Sequence, residues 1–145
     1  MKGERKMVMP YLNFTGECEA AFRLYQRAFD GGEPVLARYG DAPESAYPGM
    51  DEAQKNRIMH GQIMLTETGG VSGADAIWPV EKGSAIHIHV VCASVEKAQK
   101  AFGILAEGGI VVEKLQPNPP PHDNGVSGML KDKYGFNWVL SARLG

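Results

Sequence analysis

The chain has 145 residues, of which 43% are hydrophobic and 22% charged, a composition typical of a globular protein rather than a disordered one. At this length a single domain is the default, and it buries about 70% of its unfolded surface without disulfides or metals. The formal net charge of −2 argues against nucleic acid or an anionic membrane as a partner, and no apolar run reaches the roughly 20 residues that cross a bilayer.

The first residues and the cysteines indicate a cellular location. Residues 1–6 are rich in charge and are not followed by the apolar core of a signal peptide, so we expect a frayed end and a cytoplasmic protein. Cys18 and Cys92 each lie in an apolar stretch. Because small secreted domains carry more cysteines, these two are predicted to be buried, unpaired thiols in a reducing compartment.

The first half of the chain reads as a strand, a helix and three further strands. The predicted strands cover residues 7–14, 33–39, 58–66 and 71–78. Residues 17–29 repeat apolar side chains at helical spacing, with Thr15 or Gly16 as the predicted cap and Gly31-Gly32 as the stop. Residues 40–56 form a polar loop that is too long for a simple connector.

The second half repeats this order. Strands are predicted at 84–92, 110–115, 126–131 and 136–142, and a helix capped by Ser94 is predicted over 95–106. A proline-stiffened loop covers 116–124. Similar residues recur 77 positions apart, since Ala21, Tyr25, Gly31 and Gly32 correspond to Ala98, Phe102, Gly108 and Gly109. This repeat predicts two similar βαβββ halves, with the functional site where they meet.

Two histidines on one predicted strand are the first candidate site. His87 and His89 are two residues apart, so both imidazoles are expected on the same strand face. Such a pair can chelate a metal, bind an anion, or act as acid and base near neutral pH. The alternative is a pair of hydrogen-bonded histidines that lines a polar interior.

A second candidate set shares one face of the 58–66 strand: His60, Gln62 and Met64. Gln62 cannot titrate as a carboxylate does, so we expect substrate orientation by hydrogen bonding rather than general-base chemistry. Trp78 is a candidate aromatic wall of the same pocket, with a core or interface role as the alternative. Trp138 is predicted to be a core residue. We assign no catalytic residue, because the chain has no Gly-x-Ser-x-Gly elbow, phosphate loop or glycine-rich Rossmann loop.

Several short motifs carry a family resemblance. They are Tyr11-Leu12-Asn13-Phe14, Arg38-Tyr39-Gly40-Asp41-Ala42-Pro43, Ile58-Met59-His60, Glu107-Gly108-Gly109, Gly128-Met129 and the segment from Asp132 to Trp138. With these motifs the chain resembles the PhnB-like branch of the vicinal oxygen chelate superfamily. The resemblance implies an α+β fold in which two βαβββ modules, about 7–80 and 84–143, form an open, curved mixed-sheet barrel with the helices packed outside. Residues 7–145 then form a single glyoxalase-like domain.

The resemblance also implies a metal site with ligands from the first and last strands of each module. Those positions map to Pro10, Gly73 or Ala74, His87 and Val139, and only His87 can coordinate a metal. We therefore expect a protein of undefined specificity that binds a small polar molecule in the barrel cleft without the usual metal and without another cofactor. The expected ligand-binding residues are His60, Gln62, Met64, Trp78, His87 and His89.

The alternative is a metal-dependent lyase, isomerase or dioxygenase that holds a divalent metal with His87 and His89. Whether the protein is an enzyme stays open between these two hypotheses. The resemblance implies a homodimer in both cases, and two-fold dimers are the commonest assembly.

Overall fold

The computed structural model describes residues 6–119 and 124–144. Within them the chain forms eight strands and three α-helices, which divide into two compact units. Unit 1 contains the residues up to Phe22 together with Gly31–Val80, and unit 2 contains Arg23–Asp30 and the residues from Glu81 onward. Residues 1–5 of the predicted frayed end and residues 120–123 of the predicted proline loop lie outside the described residues.

Unit 1 is built on a four-stranded mixed sheet. Its elements are β1 (Tyr11–Phe14), the start of α1 (Cys18–Phe29), β2 (Val35–Arg38), the short helix α2 (Glu52–Lys55), β3 (Ile58–Met64) and β4 (Gly70–Asp75). The strand order is β1-β4-β3-β2, in which β1 runs parallel to β4 and the other pairs are antiparallel. The predicted 40–56 loop is partly ordered by α2 and by a 3₁₀ turn at Tyr39–Asp41.

Unit 2 repeats the same topology. It contains the rest of α1, followed by β5 (Ile88–Val91), α3 (Val95–Leu105), β6 (Ile110–Pro117), β7 (Gly125–Lys131) and β8 (Asn137–Arg143). The order β5-β8-β7-β6 again places one parallel pair beside two antiparallel pairs. The predicted α+β class and the βαβββ repeat are therefore confirmed. No helix in the described ranges has the length and apolar character needed to span a membrane.

Each sheet buries one face against a helix. In unit 1 the alternation places Leu12 and Phe14 inside, and β3 follows the predicted two-faced pattern, with Ile63 buried and His60 exposed. In unit 2 the fully buried Trp138 packs against Tyr25 and Phe29 of α1, with ring centroids 5.0 and 5.7 Å away. The prediction that Trp138 is a core residue is confirmed.

A buried carboxylate caps the first helix of unit 1. Asp75 is 1% exposed, and its Oδ1 accepts backbone N–H bonds from Gly16 and Cys18 at 2.9 and 3.0 Å. Its Oδ2 accepts the N–H of Ile58 at 2.9 Å. The predicted cap by Thr15 or Gly16 is wrong, because the Thr15 hydroxyl donates instead to the Glu17 carboxylate. A residue at the end of β4 thus satisfies the helix N-terminus.

A second buried carboxylate, in unit 2, joins two aromatic side chains to a turn. Asp132 is 2% exposed, and its Oδ2 accepts hydrogen bonds from Tyr25 Oη at 2.6 Å and from Trp138 Nε1 at 2.9 Å. Its Oδ1 accepts the backbone N–H groups of Tyr134 and Phe136, which closes the turn between β7 and β8. Four hydrogen bonds compensate the loss of hydration that burial of this carboxylate requires.

One glycine in each unit lets a helix approach the sheet. A Cβ on Gly61 of β3 would lie 3.1 Å from the Phe22 ring, and a Cβ on Gly128 of β7 would lie 2.8 Å from the Phe102 ring. The Gly128 Cβ would also lie 2.9 Å from backbone atoms of Leu115. The backbone contact at Gly128 leaves no room for a side chain, so this position requires glycine, whereas a Cβ at Gly61 would displace neighbouring side chains.

Both cysteines are unpaired, as predicted, but Cys92 is only half-buried, so the prediction of a buried thiol is wrong for that residue. Cys18 is fully buried, and burial together with the nearby Asp75 carboxylate raises its pKa far above the ordinary thiol value. Burial also raises the pKa of Cys92. Both thiols are therefore poor nucleophiles at neutral pH.

Asp75→Asn is expected to lower the free energy of unfolding by about 2–3 kcal/mol, because an amide NH₂ would replace one of the two oxygens that accept backbone N–H groups. Urea denaturation followed by circular dichroism measures the change. Asp51→Asn is the matched control, since the Asp51 carboxylate accepts a single N–H from Gln54 at the surface and asparagine caps helices equally well. Equal stability of the two variants would contradict a capping role for Asp75.

Gly128→Ala is expected to destabilise the protein by about 1–3 kcal/mol, because the added methyl group would overlap the Leu115 backbone. Gly103→Ala serves as the control, because nothing lies within 4 Å of a Cβ at that position in α3. There the substitution should stabilise the protein by about 0.5–1 kcal/mol through helix propensity. Denaturation midpoints that move in the same direction for both variants would refute the steric explanation.

Candidate functional site

The face of each sheet opposite its helix is called its open face. On the open face of unit 1, Tyr11 Oη lies 3.2 Å from His60 Nδ1, and the two rings stack at a centroid distance of 5.7 Å. Partial burial, with smaller effects of Cys18 and Tyr47, raises the pKa of Tyr11. The phenol therefore stays protonated at neutral pH, and the predicted site residue His60 is partnered by a tyrosine rather than by an acidic group.

Of the other candidates predicted in unit 1, two lie on the open face of the sheet and one lies beyond the end of a strand. Gln62 and Met64 share the open face with His60, as the alternation predicted, and Gln62 lies opposite Ser72 of β4. Trp78 follows the end of β4 by three residues, and its side chain is 56% exposed. The predicted 71–78 strand is too long, so Trp78 does not lie on the sheet face.

One polar atom on this face lacks a partner among the described residues. Asn13 lies in β1 opposite Ala74, and its Oδ1 is buried without a hydrogen bond within residues 6–119 and 124–144. In the same sheet, Ala37 of β2 lies opposite His60 of β3. Asn13 was not singled out from the sequence, because an asparagine in a strand carries no distinctive spacing.

The open face of unit 2 contains two rows of side chains. His89, Val139, Met129 and Glu113 follow one another across the four strands, and Val91, Ser141, Ser127 and Gln116 form the next row. His89 Nε2 lies 2.9 Å from Ser141 Oγ. The predicted strand over 84–92 is too long at its start, because β5 begins at Ile88, so His87 precedes the strand and His89 alone belongs to it.

A cavity of about 390 Å³ lies on this open face. Met129 and Val139 form its apolar floor, and its polar groups come from Glu113, Gln116 and Ser127. The remaining described lining residues are Pro117, Asn118, Pro119 and Gly128. Ser127 Oγ donates to Asn118 Oδ1 at 2.5 Å, which fixes the orientation of both side chains.

The lining residues of the cavity were missed from the sequence. The strand β6 extends to Pro117, beyond the predicted 110–115, and irregularities in its pairing with β7 flank Glu113. Irregular strand pairing changes the direction in which side chains point, and the spacing of residue types along the sequence does not reveal such irregularities. Ser127 does give a signal, because it is a polar residue between the buried Val126 and Gly128 of a strand. His89 is the predicted site residue that flanks the cavity, since it lies opposite Val139.

The 77-residue repeat aligns the helices and strands of the two units, but it does not align the buried faces of their first strands. In β1 the buried residues are Leu12 and Phe14, whereas in β5 Val90 is buried and His89 is exposed. Position 12 corresponds to position 89 at this offset, so the burial pattern shifts by one residue. The mapping that gives Pro10 and His87, which are 77 residues apart, the same place in their modules is therefore wrong, and Tyr11 and Asn13 occupy the face that corresponds to that of His89.

The residues of either open face do not fit the metal site that the resemblance implies. Within residues 6–119 and 124–144, no three His, Cys, Asp or Glu side chains are close enough to share a metal ion. In unit 2 the row places Val139 and Met129 between His89 and Glu113. Three strand spacings, about 14 Å, separate the backbones of these two residues along the sheet. Among the described residues, neither open face taken alone provides the three ligands that a catalytic metal requires.

Comparison with known proteins identifies relatives over the whole fold. Residues 6–141 match the family described as 3-demethylubiquinone-9 3-methyltransferase. Protein YjdN of Escherichia coli K12 is 25% identical over 138 residues, which cover 91% of this chain and 92% of that protein. The crystal structure of PA1353 from Pseudomonas aeruginosa is similar with a TM-score of 0.79 and 26% identity, over 97% of this chain and all of that one.

Two further structures connect the fold to the wider superfamily. A protein from Bacillus cereus described as a putative 3-demethylubiquinone-9 3-methyltransferase, PhnB protein, has a TM-score of 0.73 at 24% identity, over 94% of this chain and 99% of that one. A glyoxalase/bleomycin resistance protein from Albidiferax ferrireducens shares the fold with a TM-score of 0.59 at 15% identity, over 93% of this chain and 94% of that one. The chain shares its fold with the PhnB and glyoxalase/bleomycin resistance structures, and it belongs to the family described as 3-demethylubiquinone-9 3-methyltransferase.

Proposed function

We propose that this protein binds a small polar molecule with an apolar part in the cavity on the open face of unit 2. The observation that carries the proposal is the 390 Å³ cavity with an apolar floor and a polar wall. Small-molecule sites fall in the range of about 300–1,000 Å³ and combine apolar lining with a few placed polar groups. The cavity meets both criteria.

The lining is suited to recognition. Pro117 and Pro119 have fixed φ angles, which limits the motion of that wall. The bond from Ser127 to Asn118 holds two polar groups in place before a ligand arrives. Groups that are already ordered lose little conformational entropy on binding, so their hydrogen bonds contribute more to affinity.

The names of the relatives include reactions as well as resistance. The Albidiferax protein is described as a glyoxalase/bleomycin resistance protein. The family description names a methyltransferase. Each sheet here has one parallel pair, which differs from the mainly parallel nucleotide-binding sheet, so we do not carry the methyltransferase activity over to this chain.

The histidines and their neighbours have secondary places in the proposal. His89 lies beside the floor residue Val139 and can contact a ligand that extends along the row. His60, Gln62 and Met64 remain candidates for contacts on the open face of unit 1. His87 and Trp78 are the remaining candidates, and neither lies on a strand.

The alcohol 4-phenylbutanol is a suitable first probe, because it combines an apolar body with one hydrogen-bonding group. Titration into ¹⁵N-labelled protein should shift the amide resonances of Ser127, Met129 and Val139, with millimolar affinity as expected for a fragment of this size. Val139→Phe should weaken binding at least fivefold by filling the cavity.

Val91→Phe is the matched control for this titration, since Val91 is an exposed residue of the same open face that does not line the cavity. Its affinity should equal that of the unsubstituted protein. Amide shifts confined to other parts of the chain, or binding that survives Val139→Phe, would refute the proposed site.

The metal-dependent alternative is tested by elemental analysis of protein purified without chelators. We expect well under one transition-metal ion per chain, because the described residues of each open face provide too few ligands. A stoichiometric metal that is lost in His87→Ala but kept in the control His60→Ala would overturn the metal-free proposal.

A further inference from the structure

We infer that the molecule bound in this cavity carries a positive charge, an ammonium or guanidinium group, and that Glu113 is its counter-ion. The inference rests on the proposed function and names the class of ligand. Of the nine described lining residues, Glu113 is the one with an ionisable side chain. The other described lining side chains are amides, a hydroxyl and apolar groups, and none of them is charged. The charge of Glu113 therefore determines whether the cavity favours a positive or a negative ligand.

The Glu113 carboxylate is available for a ligand. Within the described parts of the chain it makes no hydrogen bond or ion pair. Elsewhere in unit 2, the Glu107 carboxylate is paired with Arg27, and the Asp30 carboxylate with Lys100. An unpaired carboxylate attracts a cation and repels an anion of the same size.

The position of Glu113 is set by the strand pairing. Glu113 lies opposite Met129, and the register shifts on both sides of it, between Val111 and Glu113 and again between Glu113 and Gln116. Irregular strand pairing of this kind changes the direction of a side chain and is common beside functional sites. The carboxylate and the Gln116 amide therefore lie at the same wall of the cavity.

Positive side chains of the same face lie outside the cavity. Lys131 follows Met129 by two residues along β7, and Arg143 follows Val139 by four along β8. Neither lines the cavity. An anionic ligand would therefore meet Glu113 without a cation in the described wall to compensate it. A ligand amine can instead bind Glu113 while its carbon chain covers Met129 and Val139.

Three probes of equal length separate charge from shape: 4-phenylbutylamine, 4-phenylbutanol and 4-phenylbutyrate. Titrations followed by ¹⁵N NMR should give the amine about fivefold higher affinity than the alcohol, a ratio typical of one solvent-accessible ion pair. The carboxylate should bind most weakly. The advantage of the amine should shrink at high salt, because screening weakens a solvent-accessible pair.

Glu113→Gln removes the charge and keeps the shape of the side chain, so the amine and the alcohol should then bind equally. Glu96→Gln is the matched control, because Glu96 is an exposed carboxylate of α3 in the same unit and does not line the cavity. This control should keep the preference for the amine. An unchanged amide spectrum away from the cavity shows that both variants are folded.

The outcomes distinguish the ligand class from the site itself. Equal affinity for the amine and the alcohol in the unsubstituted protein, or a preference that survives Glu113→Gln, overturns the inferred charge while the binding site stands. If none of the three probes shifts the amides of the cavity, the proposed function and the inference both fail.

Discussion

Two buried aspartates, one in each unit, determine how the rest of each unit is arranged. Asp75 joins the N-terminus of α1 to the start of β3, and Asp132 joins Tyr25 of α1 to Trp138 of β8. A buried carboxylate is tolerated only when its oxygens are fully hydrogen-bonded, so each aspartate fixes the position of every group that donates to it. The packing of α1 is set by these polar contacts as well as by its apolar face.

This arrangement leaves the open faces for function. The helix side of each sheet is filled by apolar side chains, with Gly61 and Gly128 providing the space for the phenylalanines of α1 and α3. The opposite faces then differ between the units, because Tyr11 stacks on the exposed His60 in unit 1, whereas Met129 and Val139 form the floor of a cavity in unit 2. Two units with the same topology therefore present different chemistry.

Periodicity predicted the eight strands and both long helices, because the alternation of side chains records which face is buried. It could not predict Asp75 as a helix cap, since 57 residues separate it from Cys18. It could not predict the cavity either, because irregular pairing between β6 and β7 brings Glu113, Gln116 and Ser127 together. Contacts of this kind depend on strand register, which a local pattern does not contain.

The described residues of the two open faces offer too few ligands for a catalytic metal. The 77-residue offset that pairs Pro10 with His87 differs by one residue from the offset that aligns the buried faces of the first strands. In unit 2 an apolar floor separates His89 from Glu113, so the two groups cannot share an ion, but they can contact opposite ends of one molecule. A cavity whose charged group stands at its wall, beside an apolar floor, has the features of a recognition site. Catalysis would further require a titratable group aimed at a reacting atom, and among the described lining residues only Glu113 could serve.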